Sequence, residues 1–234
     1  VPSARGGNHE ERVMLTIYGV PVSVHVRKTV VTAKLKGIAY AIDPVIPFNP
    51  PDNWGSLSPT GLIPAMRDDD FTLAESTAIC LYMEHKRASP QILPADARDC
   101  SRALFFDGYA GYVFRNMTHG LFFQKVVSPR ILRGETDESV VDKILTTTAP
   151  RIFGYLESQV TGRFLVGDRL TLADLGIASN LINYQYLGFT IDKTRYPALA
   201  GYIKDVVALE PFQQALAGEK PFAEQMGLDR SFVA

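Results

Sequence analysis

Several side chains in this sequence have the types and spacing to do chemistry. Ser23 follows the break Gly19-Val20-Pro21 and precedes a run with helical periodicity. A hydroxyl placed there sits at a helix N-terminus, where free N–H groups and the dipole favour an anion; the same residue type also serves as a plain N-cap. Glu75-Ser76 opens a second helical run, with the same attraction for an anion, the Ser76 hydroxyl as an extra donor, and the same capping alternative. Tyr112, Arg115, His119 and Phe122 recur at i, i+3, i+7 and i+10, which puts them on one face of a regular helix. The aromatic members suit an apolar molecule, and Arg115 or His119 could stabilise developing negative charge. Such a stripe is also what interhelical packing looks like. Cys80, among Ile79, Leu81 and Tyr82, reads as a buried, inert thiol. With Cys100 it makes up the cysteine content, so there is no CxxC and no Cys/His cluster at zinc spacing. Tyr18 lies inside a strand-like run and reads as core or rim. His25, early in its helix, reads as solvent-facing.

The elements that must position these groups fall into two halves. Residues 14–18 are β-prone and end at the Gly-x-Pro break; Val26, Val30, Val31 and Leu35 follow at helical spacing, and Gly37 stops the helix. Residues 38–45 form a second apolar run of strand length, and Pro44, Pro47, Pro50, Pro51 and Pro59 make the next stretch irregular. Residues 63–66 and 71–73 flank Asp68-Asp69-Asp70, a tight turn between short strands. Another helix runs from Ala78 to near Lys86. Beyond Ala88-Ser89-Pro90 the strand patterns vanish, and helical stretches cover 97–126, 138–160, 172–186 and 198–209. Thr171 caps the third of these, Asp174 completes a capping box, and Leu170 and Leu175 stand where a hydrophobic staple needs them. A small α/β unit over 14–87 and an all-helical unit over 96–220 are therefore expected, with a C-terminal tail over 221–234. Residues 1–13 hold charges, Gly and Pro without an apolar stretch, and read as an extension or tag remnant.

Composition narrows the function. The chain has 234 residues, 24 Lys+Arg against 25 Asp+Glu, and 46% hydrophobic residues. A net charge of -1 supplies no general drive toward nucleic acid or anionic lipid. The chain is too apolar for disorder and too interrupted by charge for a membrane span. A soluble, cytoplasmic protein is expected, with no nucleic-acid or membrane partner.

Ser58-Pro59-Thr60-Gly61-Leu62-Ile63-Pro64 is similar to the N-P-x-G-x-V-P segment of the cytosolic glutathione transferase family, with Ser58 replacing the usual Asn. Glu75-Ser76-Thr77-Ala78-Ile79 is similar to its E-S-x-A-I segment, and the Thr171–Asp174 box lies where that family caps a central helix. Ser23-Val24-His25-Val26-Arg27 looks like the S-x-x-x-R of the serine-using, theta-type bacterial branch. The resemblance covers nearly the whole chain after Met14. It implies a thioredoxin-like α/β N-terminal domain followed by an all-α domain, glutathione as co-substrate, no metal, a detoxification transferase and a homodimer.

The resemblance also implies roles. The Ile63-Pro64 bond is expected to be cis, with the Ile63 backbone pairing with the cysteinyl unit of glutathione. Ser76 would take the γ-glutamyl carboxylate and Glu75 its ammonium. Ser23 would stabilise the thiolate. A free thiol has a pKa of about 8.5, and lowering it to about 6.5 takes roughly 2.7 kcal/mol, within reach of a hydroxyl and a helix N-terminus together. Tyr112, Arg115, His119 and Phe122 would face the electrophile. Relatives place a Lys, His or Gln on the glycyl carboxylate; residues 48–57 contain none of these, which leaves Asn49, Asn53 or Trp54 to substitute. A glutathione-dependent disulfide or peroxide reductase and a non-catalytic ligand-binding protein are the alternative functions on the same scaffold. The lack of a cysteine near Ser23 argues against a monothiol glutaredoxin-like mechanism.

Overall fold

The computed structural model describes residues 14–233; the expected extension over residues 1–13 lies outside them. Strand β1 (Leu15–Tyr18) buries Leu15 and Ile17 and leaves Thr16 and Tyr18 half-exposed, the period-two pattern of a sheet with one packed face. Helix α1 (Val24–Leu35) crosses over to β2 (Tyr40–Asp43), which lies parallel to β1 with Ile17 opposite Ile42. After the short helix α2 (Trp54–Leu57), β3 (Ala65–Asp68) and β4 (Phe71–Ala74) form a hairpin, and β3 runs antiparallel to β1. The sheet order is β2-β1-β3-β4. Asp69 takes φ 55° in the turn, a conformation that Asp tolerates better than most residues. Helix α3 (Ser76–Lys86) completes the thioredoxin-like unit.

The second unit is entirely helical, and its course differs from the expected even periodicity. The first long stretch is α4 (Ala97–Val113), a π-helical turn (Phe114–Thr118), α5 (His119–Phe122) and a second π-helical segment (Phe123–Ile131) containing Pro129. Next come α6 (Glu138–Lys143), a third π turn (Ile144–Thr148) and α7 (Ala149–Gln159). Helix α8 (Leu172–Tyr186) runs through the centre with nearly every side chain buried. It meets α4 closely at Gly176, where a Cβ would stand 2.8 Å from that of Ala110. Helices α9 (Pro197–Val207) and α10 (Glu210–Gln225) close the unit.

The expected tail from 221 therefore begins inside α10. The residues after it fold back as well: the Asp229 N–H donates to the Tyr186 carbonyl at 2.8 Å, and Phe232 packs on the Tyr186 ring. The capping box at α8 is present, and the buried Asp174 carboxylate also accepts from Leu165 N–H and Tyr202 O–H. Burial raises the Asp174 pKa, with these hydrogen bonds acting against the rise.

Two buried ion pairs join the units through α1. Arg27, fully buried, meets Glu219 of α10 at 2.6 Å and donates to Asn183 and to the Ser179 carbonyl of α8. Lys28 pairs with Asp107 of α4 and donates to the Thr77 hydroxyl, which itself donates to Asp107 at 2.7 Å.

Candidate functional site

Ser23 occupies the N-cap of α1 with extended backbone (φ -67°, ψ 134°), half-buried, and its hydroxyl makes no capping hydrogen bond. Its carbonyl receives the Arg27 N–H at 2.8 Å, so the helix starts without help from the side chain. The N–H groups of the first turn have no partner inside any α-helix, and Ser23 stands at their head. The preceding turn is held close to the β3 approach by Gly19. At φ +142°, a Cβ there would lie 2.7 Å from Val26 and 3.1 Å from Ile63. The Ile63-Pro64 bond is cis, as the resemblance implied, and Ile63 precedes the β3 ladder. Ser58, at the position of the family's Asn, is buried and donates to the Leu62 carbonyl at 2.6 Å.

Glu75 and Ser76 stand at the start of α3. Glu75 has φ 80°, and its carboxylate accepts the N–H groups of Thr77 and Ala78, each at 3.0 Å. Partial burial pushes the Glu75 carboxyl up, but those two bonds and the Lys28 charge outweigh it, and the net pKa lies below the usual range. Glu75 is thus a capping residue in fact, kept ionised. Ser76 is buried, with its hydroxyl 3.3 Å from Glu75 Oε1 and 3.4 Å from His25 Nδ1.

His25 does not face solvent as the sequence suggested. It is half-buried, edge-on to Phe114 with ring centroids 4.5 Å apart. Burial, with the Lys28 charge next, lowers its pKa from 6.5 to about 4.

The expected stripe of four on the long helix is not one face. A π turn adds a residue to the helical repeat, so side chains five apart come together: Phe114 and His119 lie 5.5 Å apart, while His119 stacks on Phe123, four residues on, at 6.4 Å. His119 and Arg115 remain exposed beside His25 and Phe114. Tyr112 instead stacks on Tyr109 and receives a hydrogen bond from Arg151 of α7, and Phe122 packs against the core. Phe114 packs on both His25 and His119, and Phe123 stacks on His119. Periodicity at 3.6 residues per turn carries no sign of these pairings.

Trp54 is a correction too. It is buried against Val45 and Ala65, edge-on to Tyr18, and its indole N–H donates to the Gly61 carbonyl at 3.1 Å. Its one polar donor is committed, so it anchors the loop and leaves no donor for a ligand carboxylate. Asn49 is exposed in the loop before it. Cys80 is fully buried, 3.2 Å from the Thr32 hydroxyl, and burial pushes its thiol up to about 11, as expected of an inert residue. Among the described residues no group of three or more His, Cys, Asp or Glu side chains is placed to hold a metal ion.

Comparisons with known proteins agree with this geometry. Residues 22–86 match the family described as Glutathione S-transferase, N-terminal domain, and residues 123–217 match Glutathione S-transferase, C-terminal domain. A glutathione S-transferase of Triticum aestivum is 28% identical, over 88% of this chain and 95% of that one. Glutathione S-transferase 3 of Zea mays is 33% identical, over 68% and 73%. The apo structure of glutathione S-transferase III superposes with a TM-score of 0.73 at 31% identity, covering 87% of this chain and 96% of that one. Both halves of the chain, and the relation between them, are therefore shared with known members: the chain belongs to the glutathione S-transferase family.

Proposed function

We propose that this protein conjugates glutathione to an electrophilic small molecule as a serine-type, theta-like transferase, with Ser23 stabilising the thiolate. The observation that supports Ser23 most directly is its free hydroxyl, half-buried at the start of α1 and not spent on capping. In this reading the γ-glutamyl ammonium goes to Glu75, already ionised, and its carboxylate to Ser76 and the α3 N-terminus. The Ile63 backbone pairs with the cysteinyl unit, and exposed Asn49 reaches the glycyl carboxylate. The electrophile rests on Phe114 and His119, with Arg115 near enough to stabilise negative charge. The thiolate forms a C–S bond to the electrophilic carbon. The leaving group departs with its electron pair, or, in an addition, the adjacent carbon takes a proton from water.

A homodimer is part of the same reading. Phe71 on β4 and Leu104 and Phe105 on α4 are 44%, 43% and 53% exposed, apolar surface on both units suited to pairing one subunit's first domain with its partner's helical domain. No helix among the described residues is long and apolar enough to cross a membrane. The test is turnover of an aryl chloride with glutathione beside reduction of a disulfide substrate. Conjugation without disulfide reduction supports the reading. The reverse pattern assigns the reductase, and neither activity assigns the non-catalytic class.

A further inference from the structure

We propose that His25 is a positioning residue for the γ-glutamyl carboxylate of glutathione: its Nδ1–H holds the Ser76 oxygen, so that the Ser76 proton is free to turn from Glu75 to the ligand. The proposal rests on the reading that Glu75 and Ser76 receive the γ-glutamyl unit.

The geometry fixes which way the hydrogen bonds run. Ser76 Oγ lies 3.3 Å from Glu75 Oε1 and 3.4 Å from His25 Nδ1. Glu75 is ionised and can only accept, so the single hydroxyl proton goes to it. His25 must then donate, which sets the tautomer with hydrogen on Nδ1. When a carboxylate arrives with its ammonium neighbour, the ammonium takes the Glu75 oxygen. The hydroxyl rotates toward the carboxylate while its oxygen stays on His25. The ring is kept in place by Phe114, edge-on at 4.5 Å.

The surrounding charges favour this neutral, donating form. Lys28 from α1 and Arg115 from the π turn oppose a positive imidazole, while Glu75 and Asp107 favour one, and burial with the two cations prevails. The same balance makes His25 a poor base for the thiol, because its lowered pKa disfavours taking up a proton.

The test uses His25→Phe, which keeps a ring against Phe114 without a donor, and His25→Asn, whose side-chain amide places an N–H near the position of Nδ1. Loss of one neutral hydrogen bond predicts glutathione binding about 3- to 10-fold weaker in His25→Phe, with kcat at saturating glutathione little changed. His25→Asn should recover most of that loss. A glutathione analogue without the γ-glutamyl carboxylate should bind wild type and His25→Phe alike. Equal glutathione affinity in wild type and His25→Phe, or an Asn variant as weak as the Phe variant, would overturn the proposal while leaving the cradle intact, provided Ser76→Ala binds more weakly. A Ser76→Ala variant that binds glutathione normally would overturn the cradle and the role of His25 together.

Discussion

Replacing Ser23 by Ala separates a capping role from a chemical one. An N-cap serine that bonds its helix contributes about 0.5–2 kcal/mol of stability. Here the hydroxyl makes no such bond, and the Arg27 N–H reaches the Ser23 carbonyl, which Ala retains. The melting temperature should therefore change little. The thiol should respond strongly. A hydrogen bond to a charged partner is worth about 1.5–3 kcal/mol, which corresponds to a rise of roughly 1–2 units in the pKa of bound glutathione. If the wild-type thiol titrates near 6.5, it is about half ionised at pH 6.5; a variant at about 8 would be about 3% ionised, a 15-fold loss of rate. At about pH 9 both are largely ionised and the rates should converge. Thiolate absorbance of the bound glutathione, turnover across that pH range and a thermal melt supply the three readings. A variant that melts several degrees lower yet keeps its thiol pKa and its rate at acid pH would refute the reasoning, leaving Ser23 a cap and passing the task to the backbone N–H groups of the same turn.

Other perturbations follow from the same structure. Ser76→Ala and Glu75→Ala should each weaken glutathione binding on the order of 10- to 150-fold by calorimetry, the cost of a charge-assisted contact; for Glu75, a thermal melt should also fall, since its carboxylate caps α3. Arg27→Ala strands the buried Glu219 carboxylate and should cost about 3–5 kcal/mol, read as a lower denaturant midpoint. His25 charges less readily folded than unfolded, so the unfolded chain binds the extra proton first as pH falls. Stability is lost between about pH 6.5 and 4, by up to roughly 3 kcal/mol, and His25→Asn should lose correspondingly less over that window in denaturation curves. Sedimentation at low micromolar concentration should give twice 25.8 kDa; a monomer would leave the exposed Phe71 and Phe105 unexplained.

Much of the fold was legible because its signals are local. Gly19-Val20-Pro21, the Asp68–Asp70 turn and the Thr171 box each specify backbone within a few residues, and each lies at the expected junction. What escaped depends on partners far along the chain or on helix geometry that periodicity assumes away. Arg27 reads as part of a motif, but its reason is Glu219, 192 residues on. Helix α10 opens with Glu210-Pro211, an acid and a proline in the first turn, which is a usable start signal; Pro221 lies inside it, a residue that ordinarily interrupts a helix. The aromatic stripe failed for a sharper cause. A wheel drawn at 3.6 residues per turn groups Tyr112 with His119, and the π turn after Val113 pairs His119 with Phe114 instead.

That π turn bears on how the site is built. Ser23 is the N-cap residue of helix α1, His25 lies in its first turn and Arg27 and Lys28 follow close behind, so the N-terminal end of α1 is fixed by ion pairs to the helical unit. Asp107, on α4, receives both Lys28 and Thr77 and thereby ties α1, α3 and α4 at one point. Two turns beyond it the π turn begins at Phe114, which lies edge-on to His25, while Tyr112 lies with α7. His25 is thus set between the charges carried by α1 and the ring of Phe114, the first residue of the π turn.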